Sequence, residues 1–433
     1  MIPKHVSLFL LAFILLISTE VKSNGSVQKD SIQLLIRNFK YNEALALIDR
    51  ALLNEPSNKE LFSNKGFVCK GLYSYENAIK AYLKALSLSP TDQELLTALA
   101  NTYKLSQDYP NAVKFYTYAL ANDTNNVFLK MEAATCKLLN DQFDDAIADF
   151  SELYQKDSLN TYILKSLGYG FNQIELSEWS IYYFQKALNI KPSDYGCVLS
   201  LANLFIKDKK YAEGIKVTDA YQLLDSTNRE VNSKNAYLYL LDKKYNPAIQ
   251  KFKKCIEAGD TSKFNYKNIG IADYSIEEYD EAKGYLEKAH EMDANDASTL
   301  HFLGLSCYRS YYKELGVIYL EEALKLYQPM EEKIALIYRN YAEACKGWDK
   351  CSSEKKISSS LRAFELNPLE TTLARDLATE YEMVKDTTQA LKYYDIYLNN
   401  LKEDPKTPIK YSIRASYLYR VMRLKGVKMK KVE

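Results

Sequence analysis

Gly168-Tyr169-Gly170 is where this sequence comes nearest to spelling a dinucleotide-binding loop. Such a loop needs glycines so that the backbone can approach a pyrophosphate, and here the third glycine is missing. Three histidines occur; His5 lies in the N-terminal apolar region, and His290 and His301 stand alone on helical stretches. No Gly-x-Ser-x-Gly elbow, His-Glu-x-x-His pair or phosphate loop is present. Carboxylates are plentiful, and Asp144, Asp145, Glu278 and Asp280 cluster where helices begin. There they complement the helix dipole, with no apolar surroundings evident to raise a pKa. The seven cysteines show no zinc spacing. These residues point to a chain without catalysis, cofactor or metal.

The elements that carry these residues recur. Counted from Lys59, position 8 of a 34-residue period is Gly66, Ala100, Ala134, Gly168, Ala202, Ala236, Gly270 and Gly304. Position 20 is Ala78, Ala112, Ala146, Ser180, Gly214, Ala248, Ala282 and Gly316. Small residues at both places mark two helices whose backbones approach closely. Position 24 is large and apolar, as Tyr82, Tyr116, Phe150, Phe184, Phe252, Leu286 and Leu320, with Thr218 the exception. Pro90 and Pro192 at position 32 stop a helix, because proline lacks a donor and clashes with the preceding turn. Eight such units run from Lys59 to Met330 without insertion or deletion.

This pattern resembles the tetratricopeptide repeat, whose paired helices, A and B, stack into a right-handed superhelix. The resemblance implies an all-α fold, an α-α superhelix of about eleven repeats with a C-terminal capping helix. Upstream, Tyr41-Asn-Glu-Ala-Leu with Ala51 and Pro56 matches a helix B, and residues 25–40 make a poorer helix A. Downstream, Tyr341, Ala342, Ala363 and Pro368 form a unit about six residues longer than the period. Its extra length predicts enlarged turns at Pro329–Ile334 and Trp348–Glu354. A further unit spans Thr371–Asp404, with Leu377, Ala378, Tyr381, Ala390 and Tyr394 in register.

On these positions Cys69, Cys136, Cys255 and Cys307 face the core, where cysteine acts as a small apolar residue. Cys345 and Cys351 flank the expected turn around Trp348, so a disulfide between them stays open. In the resembled family, the concave groove is lined by helix A at positions 2, 5, 9, 12 and 13. That implies a ring series of Phe67, Phe128, Tyr162, Tyr169, Tyr237, Phe264, Tyr274 and Tyr308. Lys70, Lys104, Lys165, Lys207, Lys267 and Arg309 join it, against Glu60, Glu94 and Glu230. The candidate partner-binding set is Tyr162, Lys165, Tyr169, Lys234, Tyr237, Phe264, Lys267, Tyr274 and Tyr308. Rings with a few cations suit an extended peptide or a partner helix better than a small polar metabolite. The carboxylate clamp of co-chaperone relatives pairs Lys at position 5 with Asn at position 9; here Lys165 meets Tyr169 and Lys267 meets Ile271, which does not match.

Lys4 and His5 precede Val6–Ile17, twelve apolar or small residues, with Val21 and Ser23 placed as a cleavage site. The run is short for a bilayer span, so residues 1–23 read as a signal peptide. Residues 24–404 then form the repeat array. From Pro405 to Glu433 nine Lys or Arg face one acid, which predicts a basic capping helix and tail able to touch a membrane peripherally. Net charge is +1, giving no reason to expect nucleic acid. The chain is expected to be exported, to the periplasm of a Gram-negative bacterium, with an envelope-associated or secreted place as the alternative, and to act as a scaffold for other envelope proteins. A periplasmic carrier of one peptide or glycan is the alternative.

Overall fold

The computed structural model describes residues 29–326, 331–348, 350–368, 370–401 and 413–424. The expected signal peptide and the ends of the basic tail lie outside these residues. The chain divides into two compact units, Met1–Leu204 and Phe205–Glu433. Each is a stack of helical hairpins, and the described residues contain no strand.

In the first unit a helix over residues 29–37 (α1) is followed by α2 (Tyr41–Asn54), α3 (Lys59–Gly71), α4 (Tyr75–Leu88), α5 (Gln93–Leu105) and α6 (Tyr109–Asn122). Next come α7 (Val127–Leu139), α8 (Phe143–Lys156), α9 (Thr161–Gln173) and α10 (Ser177–Ile190). Helix α11 (Tyr195–Lys207) carries the division between units. The second unit continues with α12 (Tyr211–Gln222), α13 (Arg229–Leu241), α14 (Tyr245–Glu257), α15 (Lys263–Ser275) and α16 (Tyr279–Met292). It closes with α17 (Ala297–Arg309), α18 (Lys313–Leu326), α19 (Glu331–Lys346), α20 (Ser353–Leu366), α21 (Thr371–Met383), α22 (Thr387–Asn400) and α23 (Ile413–Leu424).

Six A helices start where the residue at position 34 caps them. Asn58, Asp92, Asn126, Asn160, Asn228 and Asp296 accept backbone N–H groups that the first turn would otherwise leave unpaired. Most A helices end in a left-handed residue at position 15. Phe39, Tyr73, Gln107, Asp141, Glu175, Lys209, Lys243, Glu277 and Lys385 all have φ between 56° and 71°. The bonds Tyr73 N to Lys70 O and Ser74 N to Cys69 O recur down the chain, and they close the helix end by a Schellman pattern. Glycine usually holds that place, and none of these nine residues is glycine.

The small residues are explained by what faces them. A methyl built on Gly66 would lie 2.7 Å from the Tyr82 ring, and on Gly168 2.9 Å from Phe184. Gly270 and Gly304 stand equally close to Leu286 and Leu320, at 2.6 and 2.7 Å. Position 24 therefore fills the space that position 8 leaves. Positions 11 and 23 form a second pair across the hairpin. Tyr103–Phe115, Phe171–Tyr183 and Tyr381–Tyr393 stack at 5.5, 5.5 and 5.7 Å. Lys137 and Asp149 make the same contact as an ion pair at 2.6 Å, and Lys251 lies 4.8 Å over the Tyr239 ring. Stacked pairs of this kind contribute about 0.5–1.5 kcal/mol beyond their burial.

One hairpin puts a carboxylate at position 11 instead. Asp273 at position 11 is buried, and its Oδ2 has no hydrogen-bond partner. Burial, reinforced by Glu281 and Glu278 and opposed by Lys253, pushes its carboxyl up to about 6. The unfolded carboxyl titrates near 3.8. Because the folded value is the higher one, stability is fully present below pH 4 and is lost as pH rises through 6. The loss is about 3 kcal/mol. Chemical denaturation of wild type from pH 4 to 7 should show that decline, and Asp273→Asn should flatten it. An unchanged slope in the variant would place the titration elsewhere.

The region after α18 corrects the expected turns. Glu331–Ile334 form the first turn of α19, which is 16 residues long, because acidic residues favour a helix start and nothing there stops one. Pro329 and Met330 lie outside the described residues. The second turn is present, and Cys345 and Cys351 are joined as a disulfide across it, with Cα atoms 5.3 Å apart. Trp348 packs on the same cluster. Cys69, Cys136, Cys197, Cys255 and Cys307 are free and buried.

Helix α23 lies on α22. Tyr417 packs 5.7 Å from Tyr394 and 5.0 Å from Tyr397, with Val421 buried beside them. Arg420 and Arg423 both bond Glu382, at 3.2 and 2.6 Å, so two of its cations share one carboxylate within the unit.

Candidate functional site

The first unit holds two adjoining cavities along its A helices. One, of about 530 Å³, lies among α1, α3 and α5 and is lined by Gln33, Ser63, Asn64, Phe67, Lys70 and Glu94, among others. The next, of about 440 Å³, lies among α3, α5 and α7, with Thr97, Asn101, Asn126 and Phe128 in its wall. Lys70, Glu94 and Ala98 line both, so the two form one trough. Most of its wall residues stand at positions 2, 5, 6, 9 and 12 of successive A helices. The helical period places those positions on one side of each helix.

Most charges around the trough are already paired. Lys29 meets Glu60 at 2.6 Å, Lys59 meets Asp92 at 2.8 Å, and Lys104 meets Glu132 at 2.6 Å. Lys70 has no acidic partner among the described residues. Burial pulls its ammonium below the usual lysine range, and it lies 5.4 Å from the Phe67 ring centre. A partly buried cation without a counter-ion is costly, and a bound carboxylate would offset that cost. Amide groups stand nearby. Gln33 donates to Asn64 Oδ1 at 3.2 Å, and Tyr116 donates to Asn101 Oδ1 at 2.5 Å. These bonds occupy the amide oxygens and leave the Nδ2 groups to donate. Phe67 and Phe128 are 42% and 54% exposed, enough for each to offer a ring face.

The candidate residues from the sequence fall in both units. In the first, Tyr162 bonds Thr135 through its hydroxyl at 2.7 Å and meets Phe150 edge-on. Lys165 pairs with Asp194 at 3.0 Å, and that bond holds its ammonium above the usual range. Tyr169 is exposed. In the second, Tyr237 and Phe264 pack edge to face at 5.3 Å. Lys267 bonds Asp296 at 3.1 Å; burial resists that carboxyl's ionisation, yet the two lysines beside it hold it down at about 2. Tyr274 packs on Phe302 and Tyr279, and Tyr308 lies under Arg309. Lys234 resembles Lys70, with burial lowering its pKa and no acidic partner among the described residues.

Two lysines of that set are thus held by aspartates that also cap the next A helix. An Asp in place of Asn at position 34 was the signal in the sequence. His301, at position 5, is buried with its Nε2 2.8 Å from Asn340 Nδ2, and burial pulls its pKa down to about 4. It is neutral at physiological pH. Among the described residues no three His, Cys, Asp or Glu side chains gather as they would around a metal. No described helix is long and apolar enough to cross a membrane.

Residues 95–127 match the family model of the tetratricopeptide repeat. None of the curated proteins compared matches the sequence. Among solved structures, a tetratricopeptide repeat protein from Parabacteroides merdae is 19% identical with a TM-score of 0.42, covering 57% of this chain and 98% of its own. The APC/C hetero-tetramer Cut9-Hcn1 gives 13% identity and a TM-score of 0.44, covering 90% and 88%. Yeast Tom70 gives 13% and 0.36, covering 94% and 96%. Likenesses this distant say nothing of what the chain binds. Residues 95–127 are thus similar to the tetratricopeptide repeat, and the in-register copies of that unit form the same kind of helical hairpin.

Proposed function

We propose that the chain is a non-catalytic scaffold that holds extended segments of other proteins along its A helices. The observation that carries this reading is Lys70, a partly buried cation without an acid, at the junction of two cavities walled by amides and rings. Amide side chains suit the backbone of an extended peptide, the rings suit its apolar side chains, and Lys70 suits a carboxylate. Tyr169 in the first unit, and Tyr237 with Phe264 in the second, are further contacts on equivalent helix positions. A display library of random linear peptides tests this directly. Selected peptides should carry an acidic residue beside an apolar one, and Lys70→Met should weaken them about tenfold, or ~1.4 kcal/mol. Selected peptides that are indifferent to Lys70 and Phe128 would remove the trough from the account.

The apolar run Val6–Ile17 and the Cys345–Cys351 disulfide support an exported chain working among envelope proteins, in a periplasm, since disulfides persist in oxidising compartments. Intact mass of the native protein should place its first residue near Asn24; retention of Met1 would count against export by cleavage.

A further inference from the structure

Departures from the repeat pattern gather in one place in the second unit. Thr218 stands where position 24 is otherwise large and apolar, and Asn235 stands at position 7, which Leu99, Leu167, Ile269 and Leu303 fill elsewhere. Both are fully buried. Asn235 Nδ2 donates to Thr218 Oγ1 at 2.7 Å and to Asp219 Oδ1 at 2.9 Å. Asp219 also accepts from the Tyr239 hydroxyl at 2.9 Å and from Lys251 at 3.3 Å. Lys251 donates on to Gln222 at 3.2 Å, Gln222 to Asn232 at 2.8 Å, and Asn232 to the Ser226 carbonyl at 2.8 Å. A hydrogen-bonded chain therefore leads from the core to a cavity.

That cavity, of about 230 Å³, lies among α12, α13 and α14 and is lined by Gln222, Ser226, Asn232, Lys251, Lys254 and Cys255. Its wall holds two ammonium groups and no carboxylate. Asp219, outside the wall, balances Lys251, whereas Lys254 has no acidic partner among the described residues. An apolar pair at positions 24 and 7 would pack here without unsatisfied atoms, yet Asn235 Oδ1 is left unpartnered. Local breaks of a packing rule are expected at functional or strained sites. Lysine serves oxyanions as a point charge, with neutral donors fixing their orientation.

We propose that this cavity binds a small oxyanion, the phosphate or carboxylate group of a small molecule. Lys254 supplies the uncompensated charge, and Lys251 and the Ser226 hydroxyl donate beside it. The Thr218–Asn235–Asp219 network holds Lys251 in place. The test is calorimetric titration of the full chain with inorganic phosphate and, separately, with acetate, at an ionic strength fixed by chloride. At least one should bind more tightly than chloride, and about a tenfold preference between them identifies the group. Lys254→Met should weaken that binding about tenfold while leaving the melting temperature of the free protein unchanged. Lys70→Met should leave it intact, which separates this site from the trough. Binding no tighter than chloride, or Lys254→Met binding like wild type, overturns the proposal.

Discussion

Glycine at the nine left-handed turn positions should make this protein markedly more stable. A side chain in the left-handed region costs roughly 1–2 kcal/mol from contact between Cβ and the next carbonyl. Glycine removes that contact but loses about 0.5–1 kcal/mol more backbone entropy on folding. Each of Phe39, Tyr73, Gln107, Glu175, Lys209, Lys243, Glu277 and Lys385 should therefore gain about 0.5–1 kcal/mol, and Asp141 less, since Asp tolerates this region. The turns recur once per repeat, so their effects should add, to roughly 5 kcal/mol for the set. Gly259, already glycine at φ 85°, supplies the reverse case, and Gly259→Ala should destabilise. Guanidinium unfolding of the set, followed by hydrogen exchange of the helix ends, gives the answer. A midpoint that stays or falls would mean that the exposed Phe39 and Tyr73 rings make contacts worth more than the strain.

The second large effect lies between α17 and α18. A methyl on Gly316 would meet backbone alone, with Gly304 O and Tyr308 N each 2.8 Å away. No side chain can swing aside there, so the two helices must part. Gly316→Ala should cost about 3 kcal/mol, at the upper end of overpacking effects. Gly284, also inside a helix, has nothing within 4 Å of the same built methyl, and Gly284→Ala should gain about 0.5–1 kcal/mol from helix propensity. The loss at Gly316 should be local, because hairpins in such stacks couple mainly to their neighbours. Hydrogen exchange should quicken across residues 297–346 and change little in α21 and α22. Equal effects of the two substitutions would contradict the close approach.

The hairpins were legible because close packing leaves a steric mark. Position 8 can be nothing but small where a position 24 ring lies under 3 Å from its missing methyl, so the period shows in residue size alone. The left-handed turns were not legible, since lysine, glutamate and tyrosine in those places give no compositional hint of φ. The pairing of positions 11 and 23 stayed hidden for a related reason. Ion pair, stacked rings and cation over ring satisfy the same geometry with unrelated residue types. The helical period puts the helix A positions on one side of each helix, but which of those side chains are already paired was not legible. Nothing in Lys165 and Lys267 alone says that Asp194 and Asp296 will hold them. Nor does the identity of Ser63, Asn64 or Asn101 reveal that α1, α3, α5 and α7 leave open volume, because cavity volume depends on packing between repeats.

The central claim is that the trough holds a protein segment. The direct measurement is photo-crosslinking in the native cell from a benzoylphenylalanine placed at Phe67, at Phe128, or at Trp179. Trp179 is 53% exposed on α10, away from the trough walls. The probes at Phe67 and Phe128 should trap the same protein, through one short segment with an acidic residue, and Lys70→Met should weaken both adducts together. Adducts formed from Trp179 alone, or from Phe67 and Phe128 regardless of Lys70, would contradict the account.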